Sequence, residues 1–555
     1  MLQGRTALAL GVASLLGTAC SSLIGLDEFK AADGTGGTSG VGAAGGLGGN
    51  SGGVGGSSVG GAGAGGGGSS AGGTSGGAGG SPECAPMATQ SCYTGEPATL
   101  NKGICVEGTQ KCGNDGTWGA CTNEVLPSVE DCSVPDKDEN CDGFECGIWG
   151  LASGGTKPVQ SARGDGGVVV AAVYEGEIAS GPFLVPTSAK EDAFVASIQP
   201  SGDVDWVTPI ASSEDDTIID ISVAPNGTTY ILGYVGAPVN LGAGQLATGY
   251  FVASIDSSGI VSNSFQLSTG PQYVALAADP SGNIVVCGRL NATTTYGADT
   301  LIVSDAYDPF VVKFAPDGNA LWARNFSGPH EDFARGVVVD ALGNVIVVGT
   351  AQDVIDFGAG NRTPQFRDGY FVKLDPDGQY VASTLFGGAG AVVQVEDISV
   401  DSAGVIAIGG YYTGTVVIAN RPLPPTTEPT GFVVRLIPQL NPAVQWLVAL
   451  PGRLPTKLSV DSTGGAIVGT LTTSTADIGG ESIGPDVGVL ERLGSAGQLL
   501  WHRAVGGPRG FVLGVSATAD GESVLTGTTT VPVIDLGAGQ VQTGPERFYV
   551  LKLGR

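Results

Sequence analysis

Three features of the sequence predict an all-β fold, a seven-bladed β-propeller of four-stranded blades over residues 148–555. The first is a phrase, Asp308-Pro-Phe-Val-Val-Lys-Phe-Ala-Pro-Asp-Gly-Asn-Ala-Leu-Trp322, that reads as a strand, a tight turn and a second strand opening on tryptophan. Variants stand at Asp192 to Gly202 followed by Trp206, and at Asp368 to Gly378. The second feature is the period. One anchor of the repeat falls at Ser197, Ser254, Lys313, Lys373, Arg435, Arg492 and Lys552, and another at Ala172, Gly233, Gly288, Gly349, Gly409, Gly469 and Gly527; both give seven copies, 55 to 62 residues apart. The third is a gap. The last copy stops at Phe548 to Arg555 without its tryptophan strand, while Ile148-Trp-Gly-Leu-Ala-Ser-Gly154 at the head of the array resembles Leu321-Trp-Ala-Arg-Asn-Phe-Ser-Gly328.

Each copy carries four strand-like runs, among them Gly336-Val-Val-Val339, Asn344-Val-Ile-Val-Val348 and Phe310-Val-Val-Lys313, all rich in β-branched residues and punctuated by Gly and Asp. Four-stranded units at this spacing are the signature of propeller blades. A single blade cannot bury both faces, whereas a ring of blades buries each against its neighbours. The nearly continuous apolar strands agree with two-sided burial. A β-solenoid would need shorter rungs and end caps. Five of the six tryptophans (Trp149, Trp206, Trp322, Trp446, Trp501) occupy one repeat position. The N-terminal strand is therefore expected to complete the last blade and remove its open edge.

Upstream of the ring, residues 1–19 have export grammar: Arg5 is the sole positive charge, Thr6 to Leu16 is largely apolar, and Gly17-Thr-Ala19 leads to Cys20. That apolar run is shorter than the roughly 20 residues a bilayer-spanning helix needs. Residues 20–82 are mostly Gly, Ser, Ala and Thr, lack the apolar surface to offset chain entropy, and are expected to form a disordered tether. Residues 83–147 hold eight of the ten cysteines: Cys84, Cys92, Cys105, Cys112, Cys121, Cys132, Cys141 and Cys146. An even number in so short an exported segment implies a disulfide framework, with about 105 possible pairings. Zinc is disfavoured, because no Cys-x2-Cys pair occurs and the two histidines, His330 and His502, lie elsewhere. Within this segment Asp136, Asp138, Asn140 and Asp142 alternate and precede Gly143. That period can curl oxygen ligands around one hard cation, so calcium is the candidate metal; a solvated acidic turn clamped by disulfides is the alternative. An EF-hand frame from Asp138 would place Trp149 where a bidentate Glu is needed, which excludes that motif.

Acidic residues outnumber basic ones 53 to 25, for a formal charge of −28. A duplex-binding protein neutralises phosphates with Lys and Arg, so nucleic acid is excluded as a partner. No nucleophile elbow, zinc-protease helix or phosphate-cradling loop occurs in a fitting context. His330 and His502 read as surface residues and Cys287 as a buried structural thiol. The recurring Lys/Arg reads as a structural ion pair or a solvated rim, and the Asp-x-x-Gly turns at Asp279, Asp340, Asp401 and Asp461 as hairpin chemistry. What recurs is scaffold, so the ligand surface is expected where the copies differ, between the second and third strands. Tyr411-Tyr412 and the Pro-rich 421–429 stretch belong to those segments.

Several resemblances sharpen these expectations. Leu-Leu-Gly-Thr-Ala-Cys20 resembles a bacterial lipoprotein lipobox, which implies lipidation of Cys20 and, with Ser21 and Ser22 following, sorting to the outer membrane; ordinary signal-peptide cleavage after Ala19 is the alternative. Gly103-Ile-Cys105, Trp118-Gly-Ala-Cys121 and Cys141-Asp-Gly143 resemble a Cys-rich metal-binding module of bacterial surface proteins. Residues 148–555 are similar to the β-propeller repeat family of bacterial surface and secreted proteins. Together these imply an exported monomeric lipoprotein, held to the membrane by its lipid alone, that binds or scaffolds a protein or polysaccharide at the cell surface and is not an enzyme. A carbohydrate-active hydrolase or lyase is the alternative.

Overall fold

The structure is a computed structural model that describes residues 84–95, 97–128, 141, 147–178, 183–304, 307–326, 328–439, 441–461, 463–505, 510–518, 522–529, 533–535, 540–542 and 547–553. The described residues divide into two compact units, 84–88 with 112–119, and 89–111 with the remainder of the chain. In the smaller unit Cys84 is bridged to Cys112, and the Met87 N–H donates to the Cys112 carbonyl at 3.2 Å. In the larger, Thr89–Cys92 pairs antiparallel with Gly108–Lys111, and Cys92–Cys121 and Cys105–Cys141 are bridged. The expected disulfide framework is thus present, with Cys105 and Cys141 fully buried. Cys132 and Cys146 lie outside the described residues, as do Cys20 and the candidate calcium ligands Asp136, Asp138, Asn140 and Asp142.

The rest of the larger unit is all β. Seven innermost strands follow one another: Thr156–Ala162, Thr217–Val223, Gln272–Ala278, Phe333–Val339, Val392–Val400, Arg453–Val460 and Phe511–Ala517. We number the blades in that order. Each innermost strand begins a meander such as Phe333–Val339, Val345–Gln352, Arg367–Leu374 and Tyr380–Phe386 in blade 4. Among the described residues these meanders form five separate four-stranded sheets and one eight-stranded path, itself two four-stranded sets joined by the single parallel pair Arg367–Val392. Consecutive innermost strands pack on one another, and Phe511–Ala517 packs on Thr156–Ala162, so the succession closes into a propeller. Backbone hydrogen bonding also closes the ring: Gly147–Gly154 pairs antiparallel with Arg547–Leu553 and supplies the fourth strand of blade 7. Trp149 stands opposite Lys552, the register in which Trp322 stands opposite Lys313.

Burial follows the pleat. In blade 4, Val345 and Val347 join a cluster with Val285, Cys287 and Val311 of blade 3, while Ile346 and Val348 join one with Val393, Ile398 and Ile408 of blade 5. Alternate residues of one strand thus serve two interfaces, which is why these strands are apolar throughout.

The recurring phrase is consumed in holding the blades. Its basic residue forms a buried ion pair with the Asp of the turn joining the first two strands. Lys313 meets Asp279 at 2.9 Å, Lys373 meets Asp340 at 2.9 Å, Arg492 meets Asp461 at 2.7 Å, and Arg435 pairs with Asp401. Lys552 pairs with Glu522 at 2.8 Å in blade 7. Of the two readings open in the sequence, the structural ion pair is the one observed. Its tryptophan reaches the next blade, where the Trp322 indole N–H donates to the Pro376 carbonyl at 2.9 Å. A Cβ on Gly378 would meet the same ring at 2.7 Å, and this glycine has φ +75°. Trp206 lies against Gly259, and Trp446 against Gly497, in the same way; in blade 2 Phe265 takes the place against Gly318.

Candidate functional site: the ring channel

The channel runs along the axis of the ring, and a repeated backbone irregularity shapes it. All seven innermost strands shift register at one place, immediately before Val159, Asp220, Ala275, Gly336, Asp397, Lys457 and Gly514. A β-bulge re-aims the side chain beside it and is a common device next to binding sites. Here it presents one residue per blade to a cavity of about 410 Å³ lined by all seven innermost strands. Four of the seven residues are small or apolar. The other three are Asp220, Asp397 and Lys457, and Arg335 joins them in the lining.

These charges are held firmly. Lys457 Nζ lies 3.5 Å from Asp397 Oδ1, with the lysine side chain 44% and the aspartate 17% exposed to the channel. The Asp397 carboxylate, joined by Asp220 and Glu396, keeps the Lys457 ammonium above its ordinary pKa against the opposing effect of burial. Burial pushes Asp220 up to about 6, while Lys457 and two backbone N–H donors pull the other way. Each aspartate also tethers the following blade: Asp220 accepts the Leu276 N–H at 2.7 Å, and Asp397 accepts the Leu458 N–H at 2.8 Å. Two residues on, hydroxyls repeat the tether. Ser161, Ser222, Ser399 and Ser459 accept from Val223, Ala278, Val460 and Ala517 at 3.0–3.1 Å. Gln160 closes the circle by donating to Ser516 and the Val524 carbonyl. The tether is structural at every register where it occurs. The carboxylates and ammonium add something a hydroxyl does not, a fixed and lopsided charge distribution at one level of the channel.

None of these residues is marked in the sequence by a catalytic motif. One signal was nevertheless there: the tetrapeptide Asp-Ile-Ser-Val occurs at Asp220–Val223 and again at Asp397–Val400. Its recurrence in just two of seven copies singles out those blades.

The segments expected to carry the ligand surface do not line the channel. Most contain a short two-stranded hairpin: Thr294–Tyr296 with Asp299–Leu301 and Ala476–Ile478 with Glu481–Ile483 fold onto the outer strand of their own blades, and Val417–Ile418 with Arg421–Pro422 meets that of blade 4. Asp299 accepts the Ala323 N–H at 2.9 Å, and Arg362 donates to the Tyr380 hydroxyl at 3.3 Å. Leu246, Leu301, Ile355, Ile418 and Ile483 are buried beneath the hairpins. Apolar residues within these turns anchor them against the blades, while Leu184, Ile302 and Phe366 of the same segments stay exposed. Tyr411 and Tyr412 are at most 1% exposed and belong to the core. The histidines serve the same surface. His502 is more covered than expected, at 14%, and lies 3.0 Å from Glu481 of the hairpin, whereas His330 is half exposed at 3.4 Å from Asp353. Cys287 is fully buried, as expected. Among the described residues no helix is long and apolar enough to cross a membrane.

No known family model matches the chain. It is similar to an uncharacterized WD repeat-containing protein of Acanthamoeba polyphaga mimivirus, 22% identical over 309 residues; the match covers 43% of this chain and 22% of that protein's length. Among solved structures it is similar to the Neurospora crassa Pan2 WD40 domain (12% identity, TM-score 0.36, covering 74% of this chain and 95% of that one). It is also similar to virginiamycin B lyase from Staphylococcus aureus (9% identity, TM-score 0.38, covering 73% and 95%). The propeller rests on this chain's own strand pairing, and these likenesses carry no ligand or activity over to it.

Proposed function

We propose that this chain is an exported lipoprotein, anchored through Cys20 alone, that presents its propeller at the cell surface as a monomeric binding or scaffold module for a protein or polysaccharide. A generic binding module is what a closed propeller supplies, with a rigid rim and few moving parts. One observation carries the location of the site. Asp220, Asp397, Lys457 and Arg335 together face one cavity lined by all seven innermost strands. Glycine or alanine at three of the other bulge positions leaves room beside those charges. Calcium held by Asp136, Asp138, Asn140 and Asp142 would stiffen the neck between tether and ring.

A glycan array probed with the full chain tests the proposal. Specific binding that is lost in the D220N/D397N/K457Q variant supports it, and binding unchanged by that variant moves the site off the channel. Binding that persists without calcium removes the acidic neck loop from recognition. The convergence of Asp220 and Asp397 on one cavity favours the second reading, a hydrolase or lyase acting on polysaccharide, because paired carboxylates are the equipment of such enzymes. Product release from an array ligand would establish it over the first. Palmitate incorporation that disappears in Cys20→Ala tests the anchor.

A further inference from the structure

Arg163, Arg324, Arg435, Arg453 and Arg492 each meet a carboxylate, as is readily arranged in a chain with 53 acidic and 25 basic residues. Two half-buried arginines do not. Arg289, on the second strand of blade 3, and Arg335, on the innermost strand of blade 4, make no ion pair among the described residues.

Both guanidiniums are nevertheless held in place. Arg289 Nε donates to Gln272 Oε1 at 2.6 Å. Gln394, 2% exposed, accepts through its amide oxygen from Arg335 Nη2 at 2.6 Å and Nε at 3.1 Å. One ring serves the two: the Phe333 centroid lies 5.3 Å from the Arg289 guanidinium carbon and 5.7 Å from that of Arg335. Tyr307 adds a second ring to Arg289, at 4.8 Å. Aromatic faces attract a cation without neutralising it. Both Nη groups of Arg289 and Nη1 of Arg335 are thus left without a protein acceptor among the described residues.

Their position ties them to the channel. Arg335 is the extra residue of the blade 4 bulge, between Ala334 and Gly336, and lines the cavity that Asp220 and Asp397 also line. Gln394 stands three residues before Asp397 on the innermost strand of blade 5. Arg289 continues the positive region outward across Phe333 toward blade 3. Free guanidinium forks match the planar, singly charged carboxylate in bidentate fashion. A phosphate or sulfate would bring greater charge to a cavity that already holds two aspartates. Ionised carboxylates only accept hydrogen bonds, so Asp220 and Asp397 select hydroxyl donors beside the anion. A uronate ring carries a carboxylate and hydroxyls together.

We propose that Arg289 and Arg335 bind the carboxylates of a uronate-bearing polysaccharide, whose hydroxyls are accepted by Asp220 and Asp397. This rests on the channel as the binding site and adds the chemical class of its ligand. The carboxylates of an acidic protein segment share the charge but not the ring hydroxyls, and the two sources are separable.

Calorimetric titration of the full chain with oligomers of galacturonate, glucuronate and mannuronate tests the proposal. At least one should bind, and its carboxyl-reduced counterpart should bind about ten-fold or more weakly, the loss expected for hydrogen bonds to a charged group. R289Q/R335Q should weaken the uronate by a similar factor at an unchanged urea midpoint. R289K/R335K, which keeps the charges and loses the forks, should fall between. The reduced oligomer tests the carboxylate in the wild-type protein, so the result stands even where a variant misfolds. Oligoglutamate should bind more weakly than the uronate. Failure of all three uronates to bind, equal affinity for the reduced oligomer, or affinity untouched by R289Q/R335Q in a folded protein overturns the proposal. Oligoglutamate bound as tightly as uronate also overturns it, in favour of an acidic protein segment. A neutral glycan lost in D220N/D397N/K457Q but kept in R289Q/R335Q overturns it and leaves the channel reading intact. Uronate binding that needs the arginines yet survives D220N/D397N/K457Q confines recognition to the arginines and overturns the channel reading instead.

Discussion

Replacing Trp322 by alanine, alone and together with Gly378→Ala, probes the contact that links blade 3 to blade 4. Trp322 is 6% exposed, and loss of so large a buried ring costs about 3–5 kcal/mol. The indole N–H bond to Pro376 contributes little to that figure, because Lys313 Nζ also donates to the same carbonyl, at 3.2 Å, and keeps it satisfied. Gly378→Ala carries two separate costs. The φ of +75° is left-handed, worth about 1–2 kcal/mol against any residue with a Cβ. The new methyl would also stand 2.7 Å from the indole, an overpacking of about 1–3 kcal/mol. Only the second cost depends on the tryptophan. The double variant should thus be less destabilised than the sum of the singles by about 1–3 kcal/mol, the size of coupling expected between residues in contact. Urea unfolding followed by far-ultraviolet circular dichroism measures all four proteins without relying on the lost fluorophore. Additivity to within about 0.5 kcal/mol would refute an interblade lock, because distant sites behave that way.

Lys313→Met leaves Asp279 buried with an unpaired charge and should cost about 3–5 kcal/mol, read from the urea midpoint at neutral pH. The wild-type pair also sets an acid dependence. Burial raises Asp279, but Asn283 and Lys313 outweigh it and hold the carboxyl below its ordinary value, so its contribution is present above about pH 4 and is lost as pH falls through the folded value. Lys313→Met should therefore lose less stability on acidification than the wild type does. At the buried Arg453–Glu491 pair, Arg453→Met alone should cost about 3–5 kcal/mol, while R453M/E491L should return close to wild-type stability or exceed it; equal losses in both would show that the pair itself stabilises blade 6. Cys287 is fully buried, and burial pushes its thiol above the ordinary range. A disulfide reagent should leave it unmodified until urea unfolds the ring, and rapid labelling of the native protein would contradict that burial.

The scaffold was legible because it is written seven times. A side chain that meets the same neighbour in every blade must recur at one spacing, and Lys313, Gly378 and Trp322 do so. The missing tryptophan strand was legible for the same reason, since the last copy breaks the pattern that Trp149 restores. The between-strand segments were legible as variable, but the apolar residues that anchor them to the blades were not. Leu246, Leu301, Ile418 and Ile483 differ in context but share an apolar demand, to fill the flank of an outer strand, and many sequences satisfy it. The channel charges escaped notice for the opposite reason. Asp220, Asp397 and Lys457 depend on a bulge, and a one-residue register shift leaves no mark in hydrophobic alternation.

A ring built from near-identical blades has no intrinsic direction around its axis, so recognition of an asymmetric ligand requires that the symmetry be broken where the ligand enters. The serine tethers show that a small hydroxyl is enough to join one innermost strand to the next. Aspartate at 220 and 397 therefore exceeds what joining the blades needs, and each carboxylate carries the cost of removing part of its hydration. Lys457 makes its salt bridge on one side of the channel, beside Asp397, while Asp220 is held by backbone N–H groups. The resulting dipole across the channel is positioned by the bulges, and backbone N–H donors hold both carboxylates. Fixed dipoles in a partly dehydrated cavity orient what they bind. Neutralising Asp220 alone should consequently change which ligand orientation is accepted, while neutralising Asp397 and Lys457 together should remove the preference and leave the ring folded through Ser399 and Ser459.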